Sequence, residues 1–228
     1  MPKALALDFI PSPRPIIGTA TKFGGQPAWI EAPQWPLSKS TGQPMRFIGQ
    51  IALDQELFPG AADGALAYLF MTEEEDWVDG TWEPDGGENA VIVQPGGSLP
   101  GVATAAIGEG PTLFQMVEVP GAPMLEAQPC EFAVATQLLD NHDFLPEASR
   151  PSDDEAFEAY ILPLEGNKVG GTPAFLQGDE FPEGTGWRLL LQLDSTTVPF
   201  FVNFGDGGIG YAFLDADARA GKFLWQCA

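Results

Sequence analysis

Apolar residues along much of this chain recur at every second position, the spacing of half-buried strands. The stretch Met45-Arg-Phe-Ile-Gly-Gln-Ile alternates and is rich in strand formers. The run Gly64-Ala-Leu-Ala-Tyr-Leu-Phe puts Leu66, Tyr68 and Phe70 on one face, and Ile209, Tyr211 and Phe213 alternate in the same way. Residues 90–93, 112–119 and 223–227 also read as strands. Residues 130–139 alternate at Phe132, Val134 and Leu138; their Ala and Leu content also suits a helix, and strand is the expectation. Residues 1–20 hold four prolines and predict an extended lead-in or an edge strand. Residues 72–90 and 94–111 read as loops. One helix start stands out after Pro151, with Ser152 as N-cap, Glu155 at N3 and Pro163 ending a short helix. Residues 215–221 resemble a helical turn closed by Gly221.

Three pieces of this pattern occur twice, in the same order. Lys22, Gly24, Gly25, Pro27 and Ala28 match Lys168, Gly170, Gly171, Pro173 and Ala174, with an aromatic next in each copy, Trp29 and Phe175. Arg46 and Gln50 match Arg188 and Gln192; Gly64, Tyr68 and Phe70 match Gly207, Tyr211 and Phe213. Each Gly pair permits positive φ or close backbone approach. Duplicated units usually share one core, because neither buries its apolar face alone. The expectation is an α+β, predominantly β protein, internally duplicated, with repeats at about 21–71 and 167–214. It would be one domain over residues 1–228, with two similar β-rich lobes, approximate two-fold symmetry, few short helices and a groove between or beside the lobes.

Composition narrows the function classes. The 10 basic and 32 acidic side chains give a net charge of −22. That disfavours nucleic acid, whose phosphates need Lys and Arg, and anionic membranes, and it suits a basic protein partner. Two cysteines, Cys130 and Cys227, are too few for a disulfide scaffold. The first ten residues lack the apolar core of a signal peptide and no stretch reaches a membrane span, so a cytoplasmic location is the expectation.

Individual motifs add little chemistry. Residues 205–210 match G-x-G-x-x-G, but the alternation that follows is a strand, so the motif reads as a tight turn. Asp206 sits in that turn, where an Asp side chain caps backbone N–H groups or is presented at a cleft rim; Asn203 is its neighbour. Lys22 and Lys168 could clamp an anionic group beside Gly nests, or cover apolar surface with their stems. Gln50 and Gln192 lie among apolar residues and read as structural amides tying strands or loops. The single histidine, His142, has no nucleophile nearby in sequence, and neither a G-x-S-x-G nor a P-loop is present. No catalytic residue, cofactor or metal is assigned. Trp35, Trp77 and Trp82 lie in Pro- and Gly-rich loops, where tryptophans are lids or binding anchors. The acidic loop with Glu73, Glu74 and Glu75 is the candidate surface for a basic partner.

Together, Lys-x-Gly-Gly-x-Pro, Trp35-Pro36, Phe47-Ile-Gly-Gln-Ile, Phe204-Gly-Asp206-Gly-Gly and Trp225-Gln-Cys227 resemble the YwqG-like proteins, the DUF1963 family. The resemblance runs from about residue 21 to the C-terminus. It implies an internally duplicated α+β fold and a distant relationship to the eukaryotic programmed-cell-death-2 and Tsr4 proteins, which escort a ribosomal protein. Many relatives carry Trp-Pro-x-Cys-x-x-Cys-Gly-x-Pro, half of a zinc knuckle. Here Ser38 and Thr41 stand at the thiolate positions, which should leave no zinc site. The resulting expectation is a non-enzymatic binder of a basic protein, as an escort or an immunity-type partner. The alternative is a carboxylate-dependent hydrolase or small-molecule binder using the groove.

Overall fold

The computed structural model describes residues 2–73, 78–99, 101–121 and 124–228. The barrel strands from the first half are β1 (Ala4–Pro11), β2 (Lys22–Gly24), β4 (Arg46–Ala52), β5 (Leu66–Met71) and β6 (Asn89–Gln94); a short β3 (Trp35–Pro36) lies outside the barrel. A connecting region carries β7 (Thr104–Ala105), β8 (Phe114–Val117) and β9 (Glu126–Pro129), followed by the barrel strand β10 (Glu131–Leu139). Helix α1 (Asp154–Ile161) precedes β11 (Lys168–Gly170), β12 (Arg188–Asp194), β13 (Ile209–Leu214) and β14 (Gly221–Gln226).

Ten of these strands close into one barrel, in the order β1-β10-β2-β4-β5-β6-β14-β13-β12-β11. Neighbours pair antiparallel; residues 215–220 join β13 to β14 by a short turn, while the other sequential neighbours are joined by longer loops and arms. Two sets of four, β2-β4-β5-β6 and β11-β12-β13-β14, meet at the single register pair Gly221–Val91. On the opposite side β1 and β10 bridge the two sets: β10 pairs with β2, and β1 pairs with β11. Two expectations are corrected here. Residues 4–11 form a barrel strand that is interior at Ala4–Ala6, where both edges find partners, while Asp8–Pro11 pair with β10 alone. The two strand sets do not stand apart as lobes flanking a groove; they share one interior.

That interior is apolar, with Phe23, Ile51, Leu69, Val91, Val93, Leu191, Leu193 and Phe223 pointing in. The alternate positions point out and are covered in turn. In the first set Tyr68 and Phe70 pack under Trp29 and Trp35. In the second, Tyr211 and Phe213 pack under Phe175 and Phe181. The covering residues come from the arm that follows each Gly pair. Gly24 and Gly25 have φ of 70° and 64°, and Gly170 and Gly171 have 73° and 80°. A Cβ on Gly24 would lie 2.1 Å from the Cys130 carbonyl oxygen, so glycine is required by sterics as well as by φ.

Smaller expectations are adjusted. Residues 131–139 are strand. The N-cap of α1 is Asp153, whose side chain accepts the Ala156 N–H, one residue after Ser152. Residues 215–220 form turns rather than a helical segment, and Gly221 opens β14. The stretch 94–111 contains β7, which pairs with β3.

Candidate functional site

The polar side chains buried against the outer face are the first candidates. Gln50 and Gln192 are fully buried and make the same set of bonds. Gln50 Oε1 accepts the Ala28 N–H at 2.8 Å, and its Nε2 donates to Gly18 O and Ala20 O. Gln192 Oε1 accepts the Ala174 N–H at 2.9 Å, and its Nε2 donates to Leu164 O and Gly166 O. Tyr68 donates to Ala28 O and Tyr211 to Ala174 O, and each hydroxyl also accepts an N–H two residues further on, from Ile30 or Leu176. Burial raises the Tyr68 phenol to about 12 and pushes the Tyr211 phenol higher still. Gln94 and Gln226, at the ends of β6 and β14, do the same for the next part of each arm. Their Oε1 atoms accept the N–H of Glu31 and of Gln177, and their Nε2 atoms donate to Ala32 O and Gly178 O. The sequence reading passed over this last pair; the shared signal is an apolar strand ending in Gln.

Lys22 and Lys168 are buried, at 2% and 0% exposure. Lys22 Nζ bonds Ile16 O at 2.8 Å and Glu131 Oε1 at 2.7 Å, so its charge is compensated. Lys168 Nζ donates to Leu164 O and Thr172 O and meets no carboxylate among the described residues. Burial lowers the Lys168 amine to about 7. Both amines fasten backbone, and neither is presented to solvent as an anion clamp.

The acidic loop divides at the edge of the described residues. Glu74, Glu75 and Trp77 lie outside them. Glu73 faces Arg46, with 3.2 Å between its Oε2 and Arg46 Nε, an ion contact without hydrogen-bond alignment. Burial raises the Glu73 carboxyl, and Arg46 opposes the rise. The Arg46 guanidinium also lies 4.6 Å over the Phe114 ring, which stacks on the half-exposed Phe201. Trp82 is exposed, as expected of a loop tryptophan. Trp35 is not; it is 0% exposed and its Nε1 donates to Met45 O at 2.8 Å. Its loop position misled because β3 and its arm fold back over β5.

The segment 38–41 is organised by a carboxylate. Glu88, 2% exposed, accepts from Ser38 Oγ, Thr72 Oγ1 and the Ser40 N–H, each at 2.7 Å. Burial alone would raise its pKa, but these bonds outweigh burial and hold it below the ordinary range. Ser38 Oγ also accepts the Thr41 N–H at 3.1 Å. Among the described residues, no group of three or more His, Cys, Asp or Glu is placed to hold a metal ion. Among the described residues the carboxylates with shifted pKa are Glu73, paired with Arg46, and Glu88, held by Ser38, Ser40 and Thr72.

The turn after Val202 is a turn, not a nucleotide loop, since β13 follows it directly. Its side-chain cap comes from Asn203, whose Oδ1 accepts the Gly205 N–H at 3.1 Å, while the Asp206 side chain is exposed. His142 is half-buried, its ring 6.3 Å from that of Tyr160. Cys130 and Cys227 are free thiols packed at the edge of the core, and burial pushes Cys130 up to about 11. Concavities are also found among the described residues. One, of about 60 Å³, lies at the β6–β14 seam beside Asp85, Val91 and Lys222. Another, a shallow groove of about 360 Å³, lies beside Pro11–Pro15 with Arg14, Gln115 and Glu131 at its walls. No helix among the described residues is long and apolar enough to cross a membrane.

This geometry defines a closed β-barrel whose two strand sets are covered on their outward faces. The family profile described as a domain of unknown function, DUF1963, matches residues 21–223, so the chain belongs to the DUF1963 family. A search of curated proteins finds no match.

Proposed function

We propose that this chain is a non-enzymatic binding protein for a basic protein partner, built on an internally duplicated barrel. The observation that carries the binding role is how the chain spends its cations. Of the ten Lys and Arg side chains, eight are engaged within the chain. Lys3, Lys22, Arg46, Arg150 and Lys222 meet carboxylates, and Lys39, Lys168 and Arg219 bond carbonyls. Arg14 and Arg188 remain. Most of the 32 acids therefore face solvent without a local counter-charge, and a basic surface would meet a negative field from most directions. The likeness to escort proteins of the programmed-cell-death-2 type is consistent with this role, as is a cytoplasmic location. The duplication is supported by the matched amide and tyrosine bonds of the two strand sets, and by register shifts at equivalent places in β4 and β12.

The hydrolase reading would need converging carboxylates. Among the described residues the two with shifted pKa have separate partners: Glu73 meets Arg46, and Glu88 has its oxygens occupied by Ser38, Ser40 and Thr72. The test is purification of the tagged chain from its native host at low and at about 0.5 M salt, where charge contacts are screened. A bound protein rich in Lys and Arg, lost at high salt, is expected. Recovery of only acidic or neutral proteins, or of none at low salt, overturns the reading.

A further inference from the structure

Strand β10 is paired on both sides for only part of its length. Glu131–Ala133 lie between β1 and β2, but from Val134 to Leu139 only the β1 side is paired. The bonds at the start of the strand show which groups face the unpaired side. Glu131 O accepts the Ser12 N–H from the β1 side, and Cys130 O accepts the Gly25 N–H from the β2 side. Successive residues of an antiparallel strand alternate in this way, so Val134, Thr136 and Leu138 turn their N–H and C=O groups to the β2 side. The register agrees: Thr136 lies across from Leu7, whose N–H points away from β10 to Asn167 O. Among the described residues no strand meets Thr136 or Leu138 from that side, and residues 135–138 are exposed.

An open strand edge is a template for any extended chain, and folded proteins guard such edges with charges and prolines. Elsewhere in this fold the guards are present. The singly paired part of β1 carries Asp8 and ends in Pro11, and β9 begins with Glu126 and ends in Pro129. Residues 132–139, Phe-Ala-Val-Ala-Thr-Gln-Leu-Leu, hold no charge, proline or glycine. Val134 packs at the edge of the core, and Leu138, on the same face, is 67% exposed. On the other face Ala135 lies beside Asp8, its partner in register, which makes no ion pair among the described residues. Strands lie about 4.8 Å apart, so a strand added to β10 would run about 10 Å from the Asp8 backbone. Lys and Asp side chains close that gap over the small Ala135. Charge selects the occupant. Each copy of the chain carries −22, and like charge of that size keeps copies apart, while the same field draws in a cationic segment.

We propose that the β10 edge from Val134 to Leu139 receives an extended segment of the basic partner as an added strand. Its apolar residues would lie beside Val134 and Leu138, and a Lys or Arg beside Ala135 would meet Asp8. This rests on the basic-partner reading above and gives it a place and a binding mode. The test titrates the full isotope-labelled chain with three synthetic ten-residue peptides. One alternates Val and Lys, one is the same sequence with an N-methylated backbone, and one alternates Val and Glu. The Val–Lys peptide is expected to slow hydrogen exchange at the Thr136 and Leu138 amides; the N-methylated peptide, which keeps the charge but loses the donors, and the Glu peptide are expected not to. Thr136→Pro removes an N–H from the open edge and leaves the β1 bonds, which run through Ala135 and Gln137. Leu138→Lys sets a charge on the edge without touching the backbone. Each should weaken the Val–Lys peptide by about tenfold, the scale of one or two lost backbone bonds. Circular dichroism and a urea midpoint check folding, and Leu138→Lys carries the test if the proline variant unfolds. Protection confined to another strand, equal binding of the N-methylated peptide, or equal binding by the folded variants overturns the strand-addition site and leaves the basic-partner reading standing. A wild-type dimer in sedimentation that Leu138→Lys dissociates overturns the choice of occupant in favour of a second copy. No binding of the Val–Lys peptide, alongside a salt-sensitive basic partner from the host, overturns only the site. No binding together with no basic partner overturns both.

Discussion

Replacing Gln192 by Leu tests whether the buried amides are scaffold or ligand-holding groups. The side chain is fully buried and makes three bonds. Leucine fills a similar volume but leaves the Ala174 N–H, itself in a buried residue, without an acceptor. It also removes one donor from Gly166 O, which is exposed and can take water, and one from Leu164 O, which keeps Lys168. A stranded buried N–H costs about 1–3 kcal/mol and each other lost bond up to about 1 kcal/mol, so the loss should be about 2–4 kcal/mol. Gln50→Leu strands the Ala28 N–H, which is only half-buried, and two carbonyls in exposed residues. Its loss should be smaller, about 1–3 kcal/mol. Urea unfolding followed by tryptophan fluorescence reads both. With an m-value of about 3 kcal/mol/M, a loss of 3 kcal/mol moves the midpoint by about 1 M. The reasoning fails if Gln192→Leu costs under about 0.5 kcal/mol at unchanged m, or if Gln50→Leu is clearly the costlier.

Three further outcomes follow from the buried charges and the seam. Lys168 has an ordinary pKa of 10.5, lowered to about 7 in the fold. Between those values the unfolded chain holds a proton that the folded chain lacks, so this group makes stability rise with pH above about 7. The stability difference between wild type and Lys168→Met, measured from pH 6.5 to 9, should change in wild type's favour as pH rises; a flat difference refutes the shift. Glu88 has the opposite sense: its lowered pKa contributes stability above the ordinary value of 4.5 that is lost as pH falls through the folded value. Glu88→Gln should cost about 1–3 kcal/mol at pH 7 and flatten the acid limb of the stability curve, and an unchanged acid limb would count against it. A Cβ on Gly221 would lie 2.3 Å from Val91 Cγ1. Gly221→Ala should therefore cost about 1–3 kcal/mol by forcing β14 from β6, and adding Val91→Ala should recover part of it in a double-mutant cycle; strict additivity would show that the seam is not under steric control.

How much of this was legible in the sequence divides along local and non-local lines. Strand identity was legible because alternation is local: Tyr68 with Phe70, and Tyr211 with Phe213, do share outward faces. The Gly pairs were legible because positive φ restricts the residue type. Closure was not, since nothing within residues 4–11 reveals that Ala4–Ala6 will be paired on both edges, to β10 and to β11. Asp153 and Ser152 are both good caps, so the helix start slipped by one residue. Trp35 looked exposed because Pro and Gly around it mark a loop, while its burial depends on an arm folding back over β5. Glu88 was one acid among 32. Its role depends on Ser38, which is 50 residues away in sequence, and on Thr72, which is 16 away.

The distribution of covered and uncovered surface limits where recognition can occur. The barrel interior is filled with side chains, and the outward faces of both strand sets are sealed by the arms carrying Trp29 and Trp35 or Phe175 and Phe181. Those are also the regions where the buried Gln and Tyr bonds of the two sets correspond, so these bonds do not distinguish one end of the molecule from the other. What differs between the sets lies in the connectors: the segment with Trp82, the β8–β9 pair that brings Phe114 against Phe201, and the stretch with α1. A partner that binds in one orientation must read such differences. Exposed apolar side chains lie there, at Met116, Leu125, Phe157 and Leu162, and also on the barrel strands at Ile10 and Leu138 and on the arms at Ile30, Leu176 and Phe181. On the proposed reading, the barrel is the mount and a basic partner would be recognised by the connectors it holds out and by the open edge of β10, which belongs to neither set.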